Sequence, residues 1–178
     1  MKIRSLAVML AGLSVVLGSA IANPAKAQTK NNNTYYCAQL DGNWNTFVNT
    51  PRGRVTLINW ANKFSETWTP QKRCSTISQR FQNFLDDGNL KFIRTGEINK
   101  MPVLCVANAR GGACPEDNVL ITLKPGTDPE GVLIRLVDFR RSVSGQTLTL
   151  SADDAGFYSG GEFYVDMDKF IESVPVNN

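Results

Sequence analysis

Short runs rich in aromatic and β-branched residues, separated by polar turn residues, are the first regular feature of the chain. They occupy residues 35–40, 44–49 and 54–60, and such runs predict short β-strands. Asp41-Gly42 separates the first two runs and is typical of a tight hairpin turn. Residues 50–53 predict a second turn before the third strand.

The spacing of apolar residues changes between residues 70 and 86 and predicts a helix there. Four apolar side chains recur at helical spacing, namely Ile77, Phe81, Phe84 and Leu85. Gly88 follows at the position where a helix end favours a left-handed residue.

Further strands are predicted at residues 90–95, 101–107 and 119–123, and one more within 162–165. Asp128-Pro129 predicts the start of a second helix, because Asp is a preferred cap and Pro suits the first helical position. The pattern as a whole predicts an α+β fold. It is a single domain in which two helices pack on an antiparallel sheet of about five to seven short strands.

The N-terminus has the three-part pattern of a secretory signal peptide. Lys2 and Arg4 precede an apolar stretch at residues 6–17, and small residues follow. We predict cleavage after Ala27, the end of an A-x-A site. A membrane anchor is the competing interpretation, but the run 6–22 is 17 residues long and interrupted by Gly and Ser, which is short for spanning a bilayer.

The rest of the chain then divides into three parts. Residues 28–34 form a polar leader that we expect to be flexible, residues 35–171 form the globular domain, and residues 172–178 form a C-terminal tail. No later segment approaches membrane-spanning length, so we expect no transmembrane segment in the mature chain. The signal predicts export from the cytoplasm.

Charge and composition exclude several kinds of function. The chain has 19 Lys and Arg against 16 Asp and Glu, and three of the basic residues lie in the predicted signal peptide. The mature chain therefore carries no net charge, which argues against a nucleic-acid partner. The chain has no histidine, which excludes Ser-His-Asp and Cys-His catalysis and His-ligated metals.

The four cysteines are Cys37, Cys74, Cys105 and Cys114, and in an exported chain an even number predicts disulfides. Three pairings are possible. We favour Cys37 with Cys74 and Cys105 with Cys114, because the second pair is close in sequence and spans glycines that let the chain turn back. No C-x-x-C spacing supports a zinc site.

Several short motifs occur along the chain in a characteristic order. They are Tyr35-Tyr36-Cys37, Asn59-Trp60, Thr69-Pro70, Arg73-Cys74, residues 78–82, 96–99 and 102–107, Cys114 and residues 120–123. In this order they resemble the cyanobacterial circadian oscillating protein domain, and the resemblance covers about residues 35–171. It implies an exported cyanobacterial protein, in the periplasm or the thylakoid lumen, that associates with a membrane and oscillates daily in amount. It carries over the four cysteines as structural bridges and no catalytic residue.

Chemistry-bearing motifs are few. The mature sequence contains no nucleophile elbow, dinucleotide-binding or Walker motif and no S-x-x-K spacing, and we predict no cofactor and no metal site. Acidic pairs occur at Asp86-Asp87, Asp153-Asp154 and Asp166/Asp168. Polar turns or helix ends explain such pairs more readily than acid–base or calcium chemistry does.

Aromatic and basic residues provide the better argument for binding. Trp44, Trp60 and Trp68, together with Arg73 and Arg80, predict a surface for a protein partner or anionic headgroups. Packing in the core is the competing explanation for the three tryptophans.

We therefore expect an exported binding or accessory protein of the cyanobacterial envelope or thylakoid lumen. It is more readily explained as a non-enzyme, and peripheral association with a membrane is compatible with this expectation. One alternative is a hydrolase acting on cell wall or polysaccharide through carboxylates such as Asp153, Asp154 or Glu162. Another is an inhibitor of a periplasmic enzyme.

Overall fold

Two antiparallel sheets and three helices make up the described part of the chain. The structure is a computed structural model that describes residues 32–61, 63–142 and 155–176, with the backbone alone for residues 138–142. The predicted signal peptide and residues 28–31 of the leader lie outside the described residues. The described residues belong to a single compact unit.

The first sheet is a meander of three strands. They are β1 (Thr34–Leu40), β2 (Asn43–Thr50) and β3 (Gly53–Trp60), in the order β1-β2-β3. Asp41 and Gly42 both have positive φ, at 51° and 77°, which is the geometry of the hairpin turn predicted from this dipeptide.

The second sheet has five strands in the order β6-β5-β4-β8-β7. The strands are β4 (Phe92–Ile98), β5 (Met101–Ala107), β6 (Val119–Thr122), β7 (Gly156–Ser159) and β8 (Glu162–Asp166). Strand β6 pairs with β5 on one side and lies at the edge of the sheet.

The helices are α1 (Pro70–Asp86), α2 (Pro129–Ser142) and α3 (Met167–Ser173). Thr69 caps α1, since its side chain accepts a hydrogen bond from the Lys72 backbone N–H at 3.3 Å, and Pro70 takes the first helical position. Asp166 caps α3 in the same way, accepting from the Lys169 backbone N–H at 3.2 Å.

One continuous core of buried apolar side chains joins both sheets and all three helices. Cys74, Ile77 and Phe81 of α1 belong to it, and α1 contacts all three strands of the first sheet as well as β6. The Phe81 ring stacks on Tyr35 of β1 with the ring centres 5.0 Å apart. Helices α2 and α3 pack on the five-stranded sheet.

The α+β class, the antiparallel pairing and the two disulfides are confirmed. The described residues add detail: their eight strands are divided between two sheets, and a short third helix follows β8. Helix α1 and strand β5 have the predicted bounds. Strand β4 runs through Gly96 to Ile98, and the turn to β5 is made by Asn99 and Lys100, both at positive φ.

Both disulfides have the pairing favoured from the sequence, Cys37–Cys74 and Cys105–Cys114. The first joins β1 to α1, and the second joins β5 to the loop before β6. Loops closed over sequence separations of 37 and 9 residues stabilise a fold by about 3.9 and about 2.7 kcal/mol in the chain-entropy model. No free cysteine remains.

Residues 108–115 form the loop that the second disulfide holds against the five-stranded sheet. Arg94 of β4 donates from Nη1 to the Gly112 carbonyl oxygen at 2.8 Å and to the Tyr164 hydroxyl at 2.9 Å. Tyr164 donates to the same Gly112 carbonyl at 3.2 Å. Arg94 also pairs with Glu162 at 3.3 Å, so this arginine ties the loop and two strands together.

Gly96 lies directly beneath this disulfide. A Cβ built on Gly96 would overlap the Cys114 Sγ and lie 3.1 Å from the Cys114 Cβ. The bridge holds that sulfur in place, so it cannot swing away as the end of a flexible side chain would. Any side chain at position 96 therefore forces the loop away from the sheet.

We expect Gly96→Ala to lower the free energy of unfolding by roughly 1–3 kcal/mol, the usual cost of overpacking a filled site. Urea unfolding of the oxidised protein, followed by tryptophan fluorescence, measures this cost. The matched background is Cys105→Ala with Cys114→Ala, in which the sulfur is absent. There the added cost of Gly96→Ala should be clearly smaller, and an equal cost in both backgrounds would contradict the explanation.

Candidate functional site

Three of the five residues predicted to form a binding surface, Trp68, Arg73 and Arg80, line one cleft with a volume of about 230 Å³. We call this site the aromatic cleft. Its lining residues are Phe64, Trp68, Arg73, Ile77, Arg80, Met101, Ile121 and Thr122. The cleft lies between α1 and the edge strand β6, with the loop before α1 and the start of β5 completing its walls.

Helix α1 supplies three lining residues from a single stripe. Arg73, Ile77 and Arg80 are spaced by four and three positions, so they lie on one face of the helix. The adjacent stripe contains Cys74 and Ser78, which are buried. The packing of that stripe against the first sheet therefore sets the direction in which the two arginines point.

The loop before α1 supplies the two aromatic walls. The Phe64 backbone N–H donates to the Trp68 carbonyl oxygen at 3.1 Å, and the Trp68 backbone N–H donates to the Ser65 hydroxyl at 3.2 Å. These bonds close the loop on itself. Both rings are half-buried, so each presents part of its apolar surface to the cleft.

Arg80 is anchored to the edge strand by one nitrogen. Its Nη1 donates to the Leu120 carbonyl oxygen at 3.1 Å and to that of Val119 at 3.4 Å. Such a contact occupies backbone acceptors on the open edge of a sheet. Among the described residues, Arg80 forms no ion pair.

Arg73 lies over two aromatic rings. Its guanidinium carbon is 4.5 Å from the centre of the Trp60 ring and 5.6 Å from that of Phe64, the geometry of a cation–π contact. Burial lowers the pKa of Arg73 below its usual value, because a guanidinium loses hydration there. It remains charged near neutral pH, as arginine does in proteins.

Two lysines add positive charge beside the same aromatic rings. The Lys72 ammonium is 5.1 Å from the centre of the Trp68 ring, and that of Lys124 is 5.9 Å from the centre of Phe64. Within the part of the chain that the structure describes, no acidic residue lines the cleft. The site thus combines an apolar interior with positively charged side chains around it. This arrangement attracts an anion that bears an apolar group.

Trp60 and Trp44 belong to the core side of the first sheet. Trp60 is 4% exposed, and its Nε1 donates to the Thr46 hydroxyl at 2.9 Å. Ser78 of α1 shares a 2.9 Å hydrogen bond with the same hydroxyl. Trp44 faces Trp60 across β2 and β3 and packs, partly buried, against the core.

The structure brings Phe64, Ile77, Met101, Ile121 and Thr122 to the cleft, and the sequence did not identify these residues as part of it. The stripe of Arg73, Ile77 and Arg80 could have been read from the helical spacing. Met101 and the two β6 residues could not, because only the tertiary packing of α1 brings them close.

The predicted acidic pairs lie elsewhere. Asp86 accepts a hydrogen bond from the Gln82 amide at 2.8 Å near the end of α1. Burial raises the pKa of Asp168, and the nearby charges of Asp166 and Glu172 raise it further. Asp153 and Asp154 lie outside the described residues. Among the residues that are described, no cluster of His, Cys, Asp or Glu is suited to a metal ion.

A second, open cleft of about 520 Å³ carries three carboxylates, Glu97, Asp128 and Glu162. Glu162 accepts a hydrogen bond from the Thr95 hydroxyl at 3.1 Å and pairs with Arg94. This glutamate, named in the hydrolase alternative, therefore takes part in holding β4 and β8 together.

The family model described as Circadian oscillating protein COP23 matches residues 34–172 of the chain. The match confirms the resemblance indicated by the sequence motifs. No curated protein and no solved structure matches the chain. In the described part of the chain, no helix has both the length and the apolar character needed to cross a bilayer.

The buried Thr46 hydroxyl generates a prediction about stability. Thr46→Val keeps the shape of the side chain but leaves the Trp60 indole N–H and the Ser78 hydroxyl without this partner. We expect the free energy of unfolding to fall by roughly 2 kcal/mol, because buried donors would lose their acceptor. Urea unfolding measures the loss.

Thr34→Val, at an exposed strand position, is the control and should change stability little. Ser78→Ala should cost less in the Thr46→Val background than in the wild-type chain, since its partner is already absent. Additive effects of the two substitutions would show that this hydrogen bond does not link α1 to the sheet.

Proposed function

Because the chain belongs to the circadian oscillating protein COP23 family, we propose that it is an exported accessory protein without catalytic activity. In this proposal it acts in the cyanobacterial envelope or thylakoid lumen, at a membrane surface, and binds a partner protein. The aromatic cleft is the proposed binding site. The observation that supports the proposal is that aromatic walls and positively charged side chains meet in that cleft.

Export is supported by two features of the chain. The N-terminal pattern is that of a secretory signal, and all four cysteines are paired in disulfides. Disulfides persist in oxidising compartments and are rare in the cytosol. Neither feature separates the periplasm from the thylakoid lumen, since the same kind of signal serves both.

Binding through the cleft is supported by its residue types. Trp and Arg are enriched among the residues that dominate interface energetics, and Trp68, Arg73 and Arg80 all line the cleft. A rigid aromatic wall costs little entropy on binding, and a guanidinium held by neighbouring groups is already oriented. An inhibitor of a periplasmic enzyme would use the same surface, and identification of the partner distinguishes the two.

The hydrolase alternative has one supporting observation, the three carboxylates of the open cleft. Glycosidases need two carboxyl groups flanking the scissile bond. Glu162 is engaged by Arg94 and Thr95, which leaves Glu97 and Asp128 as the pair to test. Loss of a measured polysaccharide hydrolysis in Glu97→Gln or Asp128→Asn would favour this function over binding.

We expect the mature protein from the native host to begin at Gln28, because cleavage follows Ala27. Intact-mass analysis under non-reducing conditions measures the start of the chain and both bridges together. An uncleaved N-terminus or free thiols in the native protein would contradict export with oxidised cysteines.

We expect the native chain to migrate with a larger complex on native separation of crosslinked membranes, and mass spectrometry to identify its partner. Trp68→Ala with Arg80→Met should abolish this co-migration, because the aromatic wall and one cation of the cleft are lost. Arg135→Met is the matched control, since it removes an exposed arginine on α2. Equal loss in both variants, or migration of the wild-type chain as a lone monomer, would contradict the proposal.

A further inference from the structure

The ligand that suits the aromatic cleft can be inferred from the charges that line it. Among the described residues, the charged side chains that line it are Arg73 and Arg80, and both are positive. An anion at this cavity is attracted by both guanidinium groups. The remaining walls are mostly apolar, so the anion must carry an apolar group to fill the space.

The geometry of Arg80 favours a carboxylate. Within the described chain, Arg80 donates hydrogen bonds through Nη1 alone, and Nε and Nη2 retain their N–H groups for another acceptor. A planar guanidinium fork matches the two oxygens of a carboxylate. The bonds to the β6 carbonyl oxygens hold the group in place before the ligand arrives, which reduces the entropy lost on binding.

The size of the cleft limits the ligand to one small group. Its volume is about 230 Å³, larger than the cavity of about 150 Å³ that encloses benzene. It is smaller than the pockets of about 300–1,000 Å³ that bind drug-sized ligands. One aromatic or branched aliphatic side chain together with a carboxylate fits this range.

We propose that the aromatic cleft binds the carboxyl-terminal residue of a partner protein. The terminal side chain is aromatic or branched aliphatic and packs between Phe64 and Trp68, and the α-carboxylate accepts hydrogen bonds from Arg80 and faces Arg73. This inference rests on the proposed function, because it gives the chemistry of the partner at the same cleft. Capture of chain termini through a carboxylate is a recurring mode of peptide recognition.

The test is a fluorescence titration of the oxidised full-length mature protein, since Trp68 and Trp60 lie at the site. The probes are acetyl-Gly-Gly-Phe with a free carboxylate and the same peptide with a C-terminal amide. We expect saturable binding of the acid and about tenfold or more weaker binding of the amide, because the amide loses a charge-assisted pair with arginine. Acetyl-Gly-Gly-Gly with a free carboxylate should bind more weakly than acetyl-Gly-Gly-Phe by a similar factor, because it has no apolar side chain to fill the cleft.

Arg80→Met should lower the affinity for the acid about tenfold and leave the affinity for the amide unchanged, so that the ratio between the two peptides disappears. Arg135→Met is the control and should keep that ratio.

A second pair of variants adds a negative charge beside the cleft and keeps the hydrogen bonds from Arg80 to β6. Thr122 is exposed on β6, and Thr122→Glu should weaken binding of the acid far more than Thr122→Gln, which has the same size and no charge.

Three outcomes would overturn the inference. Equal binding of acid and amide would show that the carboxylate is not recognised. If Arg80→Met still binds the acid peptide more tightly than the amide by the same factor, the carboxylate is recognised by a residue other than Arg80. Binding of phenylacetate as tight as that of the acid peptide would show that the ligand is a free small acid and not a chain terminus.

The two proposals fail differently. If acid and amide peptides bind equally while Trp68→Ala with Arg80→Met still loses the native partner, the ligand class is wrong and the binding function stands. If that double variant retains the partner, the proposed function of the cleft is wrong, whichever peptides bind in solution.

Discussion

The Cys37–Cys74 bridge and the Ser78–Thr46 hydrogen bond hold α1 against the three-stranded sheet, and the rest of the site depends on that attachment. A helix fixed along one stripe has its neighbouring stripe fixed as well, since successive turns repeat every 3.6 residues. The neighbouring stripe carries Arg73 and Arg80 to the edge strand β6. The aromatic cleft is therefore a consequence of how one helix is packed.

The buried hydroxyl of Thr46 has a second effect, because it also accepts the indole N–H of Trp60. Trp60 provides the ring on which Arg73 lies, so a polar contact in the core supports a cation at the surface. Core and site are thus coupled through one tryptophan. The sequence left core packing and a binding surface as alternative explanations for Trp60. The Trp60 ring is buried in the core, and it also lies under Arg73, which lines the cleft.

The five-stranded sheet is held to its neighbouring loop in a different way. Gly96 has no side chain, and the Cys105–Cys114 bridge packs into the space above it while Arg94 binds the loop carbonyl of Gly112. From the sequence, this strand was predicted to end at residue 95, before Gly96. The structure keeps it in β4, since close approach by another part of the chain is the other reason for glycine in a strand.

Local patterns in the sequence were sufficient for α1, β5, the Asp41-Gly42 turn, the class of fold and the favoured cysteine pairs, because caps, turn residues and periodicity act over a few positions. They also led to the prediction of a binding surface that includes Trp68, Arg73 and Arg80, and these three residues line one cleft. The tertiary structure alone decided the division into two sheets and the assembly of the cleft. Met101 and Ile121 join Arg80 at the cleft only when α1 packs beside β6, and that packing follows from burial across the whole core, which no local window contains.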